Sequence, residues 1–266
     1  MGKRERVGNV MEEMTVEDMI TALQETRTAI LACGGTEQHG YHLPLSTDYL
    51  TAYEISKSVS AQTGCLVLPP LCYSYSGGKL PGTIDISPET TSQVVTEIGL
   101  SLTEQGVSNI ILFAGHCGTE HLNALRDAGH WIMDAAPGTR VAYVPILSLS
   151  KSWIEMLGGG GEHAGKGETS LVLHLRPELV DDHRPVDTDE TRTPAPQAPR
   201  PQGKPYLVDE FVLDPIQKEV IIREVNYKYG VGGPSPDEAT AGIGKGLVEE
   251  MVETLAKLVR EMEGEA

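Results

Sequence analysis

Thr28-Ala29-Ile30-Leu31-Ala32-Cys33-Gly34-Gly35 decides the fold. The run is apolar without alternation and stops at two glycines, the pattern of a strand buried on both faces. Such a strand belongs in a parallel sheet covered by helices on each side. Upstream, Thr15 followed by Val16, Met19, Ile20 and Leu23 has helical spacing, with Thr15 and Asp18 as a capping box. Downstream the alternation continues. Helices are predicted at 47–63, 88–105 and 119–135, strands at 65–68, 109–114 and 141–147, a helix from about 169 to before Pro177, and a last one at 240–260. The expected class is α/β, a three-layer α/β/α sandwich with a mainly parallel central sheet.

The chain has 266 residues, and a length/150 prior is compatible with one large domain spanning 1–266. The stretch 185–205 is proline-rich and aperiodic, so it is read as a surface loop or arm without a core of its own. No apolar run approaches the roughly 20 residues of a membrane helix, and no signal peptide is visible behind Met1. A cytoplasmic location is the default expectation. With 38 acidic against 21 basic residues, a net charge of −17, the chain lacks the basic face that nucleic acid or an anionic membrane requires. Cys33, Cys65, Cys72 and Cys117 form no CxxC pair and read as free thiols.

Residues with chemistry collect in three loops. The first follows strand 28–33 and holds Glu37, His39, His42 and Asp48, at the carboxyl end of a parallel strand where open α/β sheets place their ligands. Glu37 and His39 are also compatible with a solvated loop, and Asp48 with a helix cap. The second follows strand 109–114 and places His116 between two glycines, where imidazole has little packing to do; Glu120 and His121 read as surface residues of the next helix. The third holds a glycine run at 158–161, read as a mobile flap, followed by His163 and Glu168. Gly160, Gly165 and Lys166 nearly complete a phosphate-binding loop, but Gly167 stands where the magnesium-holding hydroxyl belongs. Tyr41, Tyr73, Tyr75 and Lys79 are candidates to line a pocket.

Together Glu37, His39, Asp48, His116, His163 and Glu168 suggest a metal centre. Three carboxylates and a hydroxide would balance two divalent ions, and carboxylate with imidazole suits Zn²⁺ or Mn²⁺.

Glu37-Gln-His39-Gly-x-His42-Leu-Pro-Leu-x-Thr-Asp48, Leu80-Pro-Gly-Thr83, Gly115-His116-x-Gly118, His163-Ala-Gly-x-x-Glu168-Thr-Ser170 and Gly230-Val-x-Gly-Pro-Ser235 occur in that order. Over roughly 28–176 and 228–258 the chain thereby resembles the creatininase family of metal-dependent amidohydrolases. The resemblance implies one ion held by Glu37, Asp48 and His116, another by His39, Asp48 and Glu168, and His163 as proton donor to the leaving nitrogen. It implies a homo-oligomer, often a hexamer, and hydrolysis of a C–N bond in a small amide, cyclic amide or formamide through a metal-activated hydroxide. Family members also process a small peptide or open cyclic ketones. The chain departs from the creatinine-cleaving member: Cys117 and Gly118 stand for a tyrosine and a glutamate, Gly159 for a lid tryptophan, and Ala114 for the asparagine of Asn-Gly-His. These departures point away from creatinine itself.

Overall fold

The computed structural model describes residues 7–78, 80–187, 193–194, 225–226 and 229–264. In chain order the elements are β1 (Asn9–Val10), α1 (Val16–Glu25), β2 (Thr28–Cys33), α2 (Thr47–Thr63), β3 (Leu66–Val67), α3 (Pro88–Glu104), β4 (Asn109–Ala114), α4 (Thr119–Ala135), β5 (Arg140–Pro145), α5 (Lys151–Leu157), α6 (Lys166–Leu175), β6 (Thr193–Pro194), β7 (Val225–Asn226) and α7 (Ala241–Glu263). Strands β1 to β5 form one parallel sheet in the order β1-β3-β2-β4-β5. The small pair β6 and β7 is antiparallel.

Local chemistry sets the ends of the helices. At α1 the Thr15 hydroxyl accepts from Asp18 N, and the Asp18 carboxylate accepts from Thr15 N at 2.9 Å, the expected capping box. Ser87 caps α3 ahead of Pro88, and Gly64 ends α2 in the left-handed region that glycine enters without steric cost. The helix expected from 169 starts three residues earlier, at Lys166, because Gly165 serves as its N-cap. The strand expected at 65–68 pairs only through Leu66 and Val67, and the one at 141–147 runs 140–145 before a 3₁₀ turn.

Alternate residues of the central strands feed two cores. Ile30, Ala32, Ile111 and Phe113 face α2, α5 and α7, while Ala29, Leu31, Ile110 and Leu112 face α1, α3 and α4. Each fully buried Ile, Leu or Phe contributes roughly 1.5–3 kcal/mol, so the two layers hold the sheet from both sides. At its amino end the Asn109 amide donates to Thr28 Oγ1 and Met262 O and accepts from Arg140, which ties the end of α7 beneath the strands.

The carboxyl ends carry the opening. β2 leads to α2 on one face, whereas its neighbour β4 leads to α4 on the other, so a crevice opens where the connections part. Two glycines let α2 descend into it. A Cβ on Gly115 would sit 2.1 Å from Asp48 O, and one on Gly34 would sit 2.5 Å from Tyr49 N. No helix among the described residues is long and apolar enough to cross a membrane.

Candidate metal centre

The crevice gathers all six predicted side chains. Glu37 and His39 come from the loop after β2, Asp48 from the first turn of α2, His116 from the loop after β4, and His163 and Glu168 from the entry to α6. Asp48 is buried and does not cap its helix, whose N-cap is Ser46. Its two oxygens point opposite ways: Oδ1 lies 3.1 Å from His39 Nε2, and Oδ2 lies 3.2 Å from His116 Nδ1. His116 Nδ1 is also 3.0 Å from Glu37 Oε2, and Glu168 Oε2 is 3.9 Å from His39 Nε2. The donor atoms of Glu37, Asp48 and His116 lie within 4.8 Å of one another, as do those of His39, Asp48 and Glu168, and those of Glu37, His39 and His163.

Glu37 Oε2, Asp48 Oδ2 and His39 Nε2 are buried without a hydrogen-bond partner. Buried carboxylates are otherwise paired and hydrogen-bonded, so close approach without satisfied bonds is what donors converging on a shared cation produce. The donor set, carboxylate oxygen and imidazole nitrogen without thiolate, suits zinc or manganese. The residues therefore fit a divalent metal.

Electrostatics point the same way. Burial by itself would lower both imidazoles, but Asp48 and Glu168 hold His39 up at about 10, and Glu37 and Asp48 hold His116 well above its ordinary value. Burial would raise Asp48, yet His39 and His116 keep it well below the usual carboxylate range; Glu37 is lowered by His116 and His163 against the same burial. Glu168 is pushed up to about 7, chiefly by burial. Three carboxylates gathered in one largely buried place call for positive charge. His39 Nδ1 faces Glu37 O at 3.1 Å, an acceptor only, so the ring carries a proton there and turns Nε2 inward.

His163 lies with its ring centroid 4.4 Å from that of His39. Its Nε2 is 2.7 Å from Gln38 O and 2.9 Å from the Gln38 amide nitrogen. Gln38 Oε1 accepts from Gly40 N at 3.3 Å, which leaves the amide NH₂ toward the imidazole. Two backbone bonds, His163 N to Gly232 O and Gly232 N to His163 O, fix the histidine against segment 229–234. Asp187, itself buried, accepts from Tyr229 N and Val231 N and holds that segment in place. Ala164 adopts φ 52° and donates its N–H to Glu168 Oε2. Left-handed backbone at a non-glycine residue costs roughly 1–2 kcal/mol and is tolerated where the surroundings determine it.

Other expectations fare differently. His121 is fully buried, its Nδ1 bonded to Ser74 Oγ and its ring edge-on to His116, with centroids 5.4 Å apart. It follows the stripe of Leu125, Ala128 and Ile132 into the core, which corrects its reading as a surface residue. Glu162 and Trp153 escaped sequence reasoning: the Glu162 carboxylate accepts from Glu168 N and from the Trp153 indole. Lys166 Nζ is engaged by Glu238 at 2.8 Å, and the glycine run at 158–161 follows α5 instead of a strand, so the phosphate-loop geometry is absent there. Tyr41 and Tyr73 are exposed, and Lys79 lies outside the described residues. Of the expected arm at 185–205, only 185–187 and 193–194 are described; the remainder lies outside the described residues.

An open parallel sheet with a closed carboxylate–imidazole cage at the carboxyl ends of its central strands has the build of an α/β enzyme. The family model for creatininase, creatinine amidohydrolase, matches residues 12–259. This chain belongs to the creatininase family. It is 30% identical to the creatinine amidohydrolase of Pseudomonas putida over 198 residues, covering 63% of this chain and 76% of that one. It is 33% identical to the mycofactocin precursor peptide peptidase of Mycobacterium ulcerans (strain Agy99), covering 57% of this chain and 59% of that protein. The 3-dehydro-scyllo-inosose hydrolase of Thermotoga maritima is 26% identical, with 96% of this chain and 84% of that one covered. Among solved structures, one described as creatininase Mn superimposes with a TM-score of 0.70 at 26% identity, covering 96% of this chain and 98% of that one. A mutant creatininase of Zn-Zn type gives 0.69 at 25% identity, covering 97% and 99%.

Proposed function

We propose that this protein is a dinuclear metal-dependent hydrolase that cleaves a C–N bond in a small amide, cyclic amide or formamide. The observation that carries this reading is the pair of donor triads sharing Asp48, each within 4.8 Å. Glu37, Asp48 and His116 would hold one divalent ion, and His39, Asp48 and Glu168 the other. When bound, the two ions would lower the pKa of water towards about 7 and polarise the substrate carbonyl.

The remaining work falls to the chain. Asp48 spans both triads, so its carboxylate sets their separation. Glu37 O fixes the ring of His39. His163 donates its Nε2 proton to the departing nitrogen, a contribution of about 10²–10⁴-fold. Gln38 serves that atom in both protonation states, its carbonyl accepting when Nε2 is protonated and its amide donating when it is not. The relatives named for a peptide peptidase and an inosose hydrolase keep a peptide bond or a C–C bond as the second reading.

Metal content per chain, measured on protein purified without added metal, tests the proposal. About two zinc or manganese ions per chain, lost together in Asp48→Ala, are expected; no metal, or metal indifferent to Asp48, overturns it. A panel of amides, formylated amines, short peptides and cyclic ketones then separates the two readings.

A further inference from the structure

Helix α6 carries Glu168 in its first turn, yet its N-cap, Gly165, has no side chain to satisfy the helix's free N–H groups. Glu162 fills that role from outside the helix. Its Oε1 accepts from Glu168 N at 2.9 Å, and its Oε2 accepts from Trp153 Nε1 at 2.9 Å. The indole is anchored in turn. Trp153 is buried on α5, its backbone N–H donates to Ser150 Oγ at 3.0 Å, and Ser150 Oγ donates to Glu250 Oε2 of α7 at 2.7 Å. A Cβ on Gly167 would lie 2.1 Å from the indole nitrogen and 2.9 Å from Glu162 Oε2, so glycine there admits the contact.

Packing alone does not account for a carboxylate here. It lies beside a second acid, Glu168, whose repulsion a neutral side chain would avoid. A carboxylate is the group that accepts on both oxygens at once, whereas a glutamine offers one oxygen. We infer that Glu162 is a positioning residue for Glu168, which it holds in register with the cage through a hydrogen-bonded strut running from α7 through Ser150 and Trp153. The inference rests on the reading that Glu168, with His39 and Asp48, holds one of two metal ions.

Stepwise titration of the metal-free protein with Zn²⁺ against a chromophoric chelator tests it on wild type, Glu162→Ala, Glu162→Gln and Trp153→Phe. Wild type should take up two Zn²⁺ per chain in two steps. Glu162→Ala should weaken one step by about 10–100-fold, the range for lost outer-shell partners, and leave the other within twofold. Trp153→Phe should weaken the same step, and Glu162→Gln should recover part of it. Both affinities at wild-type values in a folded Glu162→Ala protein overturn the assignment, and so does equal weakening of both steps, the mark of general loosening. If Glu162→Ala fails to fold, Trp153→Phe decides by the same two criteria. A wild type that binds no Zn²⁺ overturns the metal reading along with this one, whereas two unaltered steps in the variants overturn this one alone.

Discussion

Gly115→Ala puts the geometry of the crevice to a direct test. The added Cβ would meet Asp48 O at 2.1 Å, Asp48 C at 2.8 Å and Ala52 Cβ at 3.1 Å. Two of the three atoms are helix backbone, which has no rotamer by which to escape. The first turn of α2 must therefore retreat by roughly 1 Å to recover ordinary contact. Overpacking costs typically 1–3 kcal/mol, and a rigid neighbour places this case near 3. For a chain of this size that lowers the melting temperature by about 6–12 °C. The same retreat carries Asp48, and metal–ligand distances tolerate only about 0.2 Å, so both ions should bind more weakly together. Gly246→Ala is the control, because a Cβ there meets nothing within 4 Å. On an exposed helix position it should be neutral or stabilise by up to about 1 kcal/mol. Thermal melts of metal-free protein and metal analysis of the loaded protein read both effects. Gly115→Ala with an unchanged melting temperature and two ions per chain would refute the account of how the crevice is built.

Three further outcomes are expected. In the metal-free protein the raised pKa values of His39, about 10, and of His116 contribute stability that is present below the unfolded imidazole value of 6.5 and lost as pH climbs towards 10. Its melting temperature should fall from pH 7 to pH 10 while metal affinity rises as protons are displaced; a metal-free melting temperature that rises over that window contradicts this. His163→Ala should keep both ions and lose about 10²–10⁴-fold in kcat, whereas loss of metal would make His163 a ligand, as its place beside Glu37 and His39 also allows. Lys166→Ala removes the pair with Glu238, whose carboxylate is exposed, and the last-ranked of the charge effects on Glu162, and should leave turnover and metal content unchanged; abolished ligand binding would revive a phosphate-binding role.

The central strands were legible because burial on both faces leaves an unbroken apolar run, as in 28–33 and 109–114. Strand β1 and helix α5 were not, since two residues and seven residues carry too little periodicity to register. The six cage residues stood out because each belongs to a glycine-flanked loop beyond a strand or at a helix entry, where polar side chains have no packing role. The burial of His121 is legible too, since it shares the spacing of Leu125, Ala128 and Ile132. Glu162 carried no such signal. Its meaning depends on Trp153, nine positions earlier, and contact across a turn leaves no period in the sequence.

Asp187 and the amides of Tyr229 and Val231 hold together the two chain ends that flank residues 188–228. A carboxylate that accepts from two backbone N–H groups restrains both stretches of chain at once. Gly232 in turn exchanges two backbone hydrogen bonds with His163, so the place of the histidine is set from Asp187. The histidine proposed as proton donor is thereby anchored through the backbone of a distant segment, and selection on the reaction reaches outward as far as Asp187.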